Sequence, residues 1–128
     1  MRDFKDKVAV VTGGSSGIGQ AIALALANCG CRVAVVGTAR ERINGTLALI
    51  STGSECRGYV CDVADRAAVT AMADAVETDF GQVDIIVNNA GITSSAPFAE
   101  FDIEVFNCII QTNFFGVVNC CHAFLPKL

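Results

Sequence analysis

The chain has 128 residues, 52% apolar and 17% charged, and a formal net charge of −4. That length allows one domain at most, and that composition describes a packed core in place of a disordered segment. The charge is negative and no basic cluster interrupts it, so neither nucleic acid nor an anionic membrane surface is favoured as a partner.

Met1 to Lys7 alternates charges and carries no apolar export signal. Val8 to Thr12 follows as an apolar, β-branched run without polar alternation, which predicts a strand buried on both faces. After a glycine-rich turn, Ile18, Ile22, Leu26 and Cys29 recur at helical spacing until Gly30 stops the helix. Arg32 to Gly37 is the second predicted strand. A second helix carries Ile43, Leu47 and Ile50 and runs to Gly53, and Arg57 to Cys61 is the third strand. Ala68, Met72 and Ala75 mark a third helix closed by Gly81, and Ile85 to Asn88 is the fourth strand. Beyond a polar loop with Pro97, a last helical region runs from about Asp102 toward Pro126. The longest strongly apolar stretch assigned to a helix, Ala21 to Ala27, is far short of the roughly 20 residues that span a bilayer.

Strands alternating with helices at this cadence predict an α/β fold: a Rossmann-type, doubly wound parallel sheet of four strands with helices on both faces. Residues 1–128 then form a single dinucleotide-binding domain. Sheets of this kind bind ligands beyond the carboxyl ends of their strands, where strand order reverses. The loop Thr12-Gly13-Gly14-Ser15-Ser16-Gly17-Ile18-Gly19 falls at such an end. Gly13 permits the tight turn, Gly17 lets backbone approach a pyrophosphate, and Gly19 brings helix against strand. The helix N-terminus beyond them offers unpaired N–H groups to a phosphate, and Ser15 and Ser16 add hydroxyl donors. Gly14 to Gly19 also satisfies the glycine spacing of a nucleoside-triphosphate loop, but Gln20 and Ala21 stand where that loop needs Lys and Ser or Thr.

Seven cysteines, at 29, 31, 56, 61, 108, 120 and 121, form no C-x-x-C pair. They read as small hydrophobes in a reducing, cytoplasmic compartment. The single histidine, His122, beside Cys121 on a predicted helix, does not make a metal site, and no metal is expected.

The loop's spacing, Thr-Gly-x-x-x-Gly-x-Gly, resembles the phosphate loop of the short-chain dehydrogenase/reductase family, and three further matches follow in order. Asp62-Val63 resembles the acidic pair whose carboxylate holds the adenine amino group. Asn88-Asn89-Ala90-Gly91 resembles the segment that supports the sheet centre and contacts the cofactor's ribose. Asn113, within Thr112-Asn113-Phe114-Phe115-Gly116, stands where the family keeps a helix-borne catalytic asparagine that anchors a proton-relaying water. The resemblance thus implies cofactor contacts from Gly13, Ser15, Ser16, Gly17, Ile18, Gly19, Asp62, Val63, Asn89, Ala90 and Gly91. Taken singly, Asp62 or Asp65 also reads as a helix cap, Asn88 and Asn89 as turn formers, and Asn113 as a solvated helix position.

An NAD-preferring fold of this kind places Asp or Glu about 20 residues beyond the loop. Here Gly37-Thr38-Ala39-Arg40 occupies that stretch, so Thr38 with Arg40 or Arg42 points to NADP(H) over NAD(H). Ser16, where many NADP-using relatives carry a basic residue, counts the other way.

The resemblance further implies hydride exchange with a small carbonyl or alcohol substrate, proton transfer by a tyrosine, and a lysine four residues after it. Tyr59 is followed four positions later by Val63, and Ala123 precedes Lys127 by four. The expectation is therefore an amino-terminal portion, with serine, tyrosine and lysine beyond residue 128. The alternative is a non-catalytic nucleotide-binding or interaction module. Two observations support the first: the chain stops inside the predicted last helix, and the fourth strand's outer edge is left unpaired, an association hazard. A homo-oligomer is expected for the longer protein by analogy. Ile92 to Phe98 is a candidate substrate wall, although Thr93, Ser94 and Ser95 equally suit a solvated loop.

Overall fold

The computed structural model describes residues 3–128. Four parallel strands, β1 (Val8–Thr12), β2 (Arg32–Gly37), β3 (Cys56–Val60) and β4 (Ile85–Val87), lie in the order β3-β2-β1-β4. Between them run α1 (Gly17–Asn28), α2 (Arg40–Leu49) and α3 (Arg66–Phe80). The chain moves outward from β1 to β3 and then returns, through α3, to β4 on the far side of β1. The switch point falls between β1 and β4, as the doubly wound expectation requires.

Successive side chains of a strand point to opposite faces, and the two core clusters follow that alternation. Val8 and Val10 of β1 with Ala34 and Val36 of β2 face Val69, Met72, Ala73, Val76 and Phe80 of α3. Ala9, Val11, Val33 and Val35 face Ala23 and Ala27 of α1 and Ile43 of α2. Both middle strands are therefore sealed on two sides, each buried valine contributing roughly 1.5–3 kcal/mol.

After a 3-10 turn at Phe98–Glu100, one long rod closes the described chain: α4 (Ile103–Ile110), a π-helical turn at Gln111–Phe115, and α5 (Gly116–Phe124). Asp102 caps it by accepting from Glu104 N–H. A 3-10 turn at Leu125–Lys127, with Pro126 inside it, follows α5 directly. The expectation that Ala21 to Ala27 is the longest strongly apolar stretch in a helix is overturned: Ile103–Lys127 is 25 residues long, with mean hydropathy 1.3 over its most apolar stretch. The π turn keeps this last helical region continuous, as the reading from Asp102 toward Pro126 expected. Its α5 half packs into the globule through Gly116, Asn119, Cys120 and Phe124.

Other boundaries shift by small amounts. The second helix stops at Leu49 and does not reach Gly53, β3 begins and ends one residue early, and β4 ends at Val87. In α1 the inward stripe is Gly19, Ala23 and Ala27; Ile22 and Leu26 flank it, whereas Ile18 is 75% exposed. In α3, Ala75 faces solvent and Val76 faces the core.

Candidate functional site

The loop after β1 folds back on the end of β4. Thr12, fully buried, donates through its hydroxyl to Val87 O and accepts from the N–H groups of Asn89 and Ala90, each at 3.0 Å. That uses the one proton and both lone pairs of the oxygen. Asn89 returns the contact, its side-chain amide donating to Gly13 O at 3.1 Å. A Cβ on Gly19 would collide with Gly13 O and with that same amide, so only glycine lets α1 start this close to the strand. Gly17 differs: its φ is +55° and a Cβ there would meet nothing within 4 Å, so its backbone is open.

Ser16 is the N-cap of α1, yet its side chain makes no capping bond, and no acidic residue occupies the first turn. The positive end of the helix dipole therefore has no anion of its own. Gly13, Ser15 and Ser16 line a cleft of about 220 Å³ at the carboxyl ends of the strands. Thr38 and Arg42 line it beyond β2, Cys61, Asp62 and Val63 beyond β3, and Ala90, Gly91 and Ile92 beyond β4.

Each predicted site residue can now be placed. Gly13, Ser15, Ser16, Thr38, Asp62, Val63, Ala90 and Gly91 lie in the cleft lining. Gly17, Ile18 and Gly19 continue into α1 outside that lining, and Asn89 stands behind it, holding Gly13. Arg40 is not in the cleft: its guanidinium donates to Gly58 O at 3.2 Å, which draws it along β3, and Arg42 occupies the lining. The two aspartates separate cleanly. Asp65 caps α3 by accepting from Ala68 N–H, and Asp62, turned back on Ala64 N–H, lines the cleft.

Asn113 sits in the π turn, a feature that often marks functional positions. Its Oδ1 accepts from Ile92 N–H and its Nδ2 donates to Ile92 O, both at 2.8 Å. A Cβ on Gly91 would lie 3.2 Å from that Oδ1. Asn113 thus fixes the backbone of the wall beyond β4. Of the Ile92 to Phe98 stretch, only Ile92 borders the cleft.

Sequence reasoning missed the residues that brace the site from behind. Asn119, 6% exposed, donates to Val63 O at 2.9 Å, and Gly116 lies against the Val63 side chain. A lone amide among Val117, Val118, Cys120 and Cys121 was the available signal. Burial and the nearby Asp62 and Asp65 raise the Cys61 thiol to about 11, so it is protonated at neutral pH and is no nucleophile. Tyr59 donates to Asp79 at 2.6 Å, and burial pushes its pKa up, away from acid–base work near neutrality.

A glycine loop that opens a helix at the switch point of a parallel sheet defines a Rossmann-fold, dinucleotide-binding protein. Residues 7–128 match the short chain dehydrogenase family, and the chain belongs to that family of oxidoreductases. It is 42% identical over 124 residues to the D-threitol dehydrogenase of Mycolicibacterium smegmatis, covering 94% of this chain and 48% of that protein. The crystal structure of an NAD+-bound xylitol dehydrogenase matches with a TM-score of 0.95 at 34% identity, over 98% of this chain and 49% of that one. A short-chain dehydrogenase/reductase from Burkholderia phymatum in complex with NAD matches with a TM-score of 0.95 at 31% identity, over 100% and 46%. The chain spans about half the length of these relatives.

Proposed function

We propose that residues 1–128 form one dinucleotide-binding domain that supplies the cofactor half of an NADP(H)-dependent carbonyl reductase or alcohol dehydrogenase. The observation that carries this is the α1 N-terminus, uncapped by its own side chain, free of acidic neighbours and opening beside Gly17 at the cleft. The donor set fits the group: backbone amides and the Ser15 and Ser16 hydroxyls for the bridging phosphates, Asp62 for the adenine amino group, and Asn89 to Gly91 for the ribose. Gly17, Ile18 and Gly19 complete the phosphate turn. When bound, a nicotinamide dinucleotide supplies hydride exchange with the carbon of a small carbonyl or alcohol substrate.

Thr38 and Arg42 support the preference for NADP(H), because a hydroxyl and a guanidinium suit a 2′-phosphate that a carboxylate would repel. Arg40, bonded to Gly58, contributes less. Equilibrium titration with NADPH and NADH tests the assignment. NADPH should bind more tightly, and Arg42→Ala should weaken NADPH about tenfold while leaving NADH nearly unchanged. Tighter NADH binding would refute the preference, and no binding of either would refute the function.

Asn113 acts in this reading as a positioning residue that sets the Gly91–Ile92 wall, and any water it holds stands beside that wall. Proton transfer to substrate oxygen needs a group that these residues do not supply, since Tyr59 is committed to Asp79. The described chain is accordingly proposed to bind nucleotide without turnover, the catalytic acid belonging to the longer protein. Turnover of carbonyl substrates with NADPH by residues 1–128 alone would overturn that statement.

Supporting a cytoplasmic location, Cys31, Cys61 and Cys120 serve as buried core residues in thiol form. Membrane partnership is not proposed, because α5 is spent on packing against α3 and Val63. For the whole protein, homo-oligomer formation is proposed through the apolar face that α4 leaves uncovered.

A further inference from the structure

We propose that Thr46, on α2, is a positioning residue that sets the orientation of the phosphate loop; the inference rests on the dinucleotide reading above. Thr46 is fully buried, and its hydroxyl donates to Gly14 O at 3.0 Å. Gln20, one turn into α1, donates through Nε2 to the Thr46 hydroxyl oxygen at 3.0 Å. With a lone pair taken by Gln20, the Thr46 proton is directed to Gly14. The other side of Gly14 is held as well, its N–H donating to Val36 O at 3.0 Å.

The consequence follows from the planarity of the peptide. The Gly14 carbonyl and the Ser15 N–H belong to one trans unit and point in opposite directions. Drawing the carbonyl toward α2 therefore turns the Ser15 amide away from α2, and Ser15 lines the cleft. A threonine inside a helix ordinarily returns its hydroxyl to a carbonyl in the preceding turn. Here it spans 32 positions of sequence to reach a loop. The same helix carries Arg42 one turn earlier, so the residue proposed for the 2′-phosphate and the brace of the phosphate loop move as one body.

Thr46→Val keeps the shape and removes the donor. Dissociation constants are measured for NADPH and for adenosine, which lacks the bridging phosphates, together with the melting temperature without ligand. NADPH affinity should fall about tenfold, adenosine affinity should stay within about twofold, and Thr46→Ser should restore most of the loss. Equal NADPH affinity in wild type and Thr46→Val, or a loss shared equally by NADPH and adenosine, overturns the proposal. Should Thr46→Val not fold, Gln20→Leu carries the test: a smaller loss confined to NADPH supports the brace, and unchanged affinity overturns it. Failure of the wild type to bind any dinucleotide instead overturns the functional reading, and the brace falls with it.

Discussion

The rod from Ile103 to Phe124 is built from similar residues along its whole length, yet its two halves live in different surroundings. Phe124 in α5 is fully buried against α3 and the sheet, whereas Phe106 in α4 is 41% exposed and α4 has no buried residue. Ile103, Val105, Ile110 and Phe114 share that exposure. The strands divide in the same way: β1 and β2 are sealed on both faces, and the three-residue β4 pairs only with β1 and is half-buried throughout. Apolar character thus reports which surfaces are suited to burial, and the packing partner decides which are buried. The cleft draws on both kinds of strand: Gly13, Ser15 and Thr38 follow the sealed β1 and β2, and Asp62, Ala90 and Gly91 follow the half-buried β3 and β4.

The contrast within the rod is the largest effect to test. Phe124→Ala should cost about 3–5 kcal/mol through lost burial and a residual cavity, and Phe106→Ala less than about 1 kcal/mol. Chemical denaturation of the two variants checks both values. Similar costs would mean that α4 is covered in solution, and the division drawn above would fail.

A second variant separates the sealed strands from the edge strand. Thr12→Val preserves volume but leaves the Asn89 and Ala90 amides and the Val87 carbonyl without their shared partner. The expected cost is about 2 kcal/mol. Hydrogen exchange should quicken at Asn89 and Ala90 while the β1–β2 ladder stays protected. Uniform loss of protection would show that β4 and the inner strands open as one unit.

These braces also mark where sequence reading stops. Thr12 to Gly19 was legible because each glycine answers a local demand of turn or close approach, and the doubly wound parallel sheet followed from the alternation of elements. The inward face of α1 was not: Ile18 and Ile22 draw the eye, but a helix pressed on a sheet selects Gly19, Ala23 and Ala27, and the larger residues move to its flanks. Arg40 and Arg42 were indistinguishable until Gly58 claimed the first. Asn119, Thr46 and Thr12 bond to backbone 56, 32 and more than 70 positions away, and no local pattern names such partners.

The smallest expected effect lies at the opposite end of the sheet from the cleft. Glu55 bridges Arg32 at 2.6 Å and Arg57 at 2.8 Å, and these bonds, Arg32 first, hold its carboxyl below the ordinary carboxylate range. A carboxyl whose pKa is lowered by folding stabilises the protein above its unfolded value and loses that contribution as pH falls through the folded one. The pair with Arg32 is about one-third exposed on both sides, so solvent screening limits it to less than about 1 kcal/mol. Glu55→Gln should accordingly lower stability slightly at pH 7 and hardly at all at pH 3, and added salt should narrow the difference. The cleft lies beyond the other ends of these strands, so NADPH affinity should be the same in Glu55→Gln and wild type. A change in affinity would show that strain at the amino ends of β2 and β3 travels along these strands to Thr38 and Asp62.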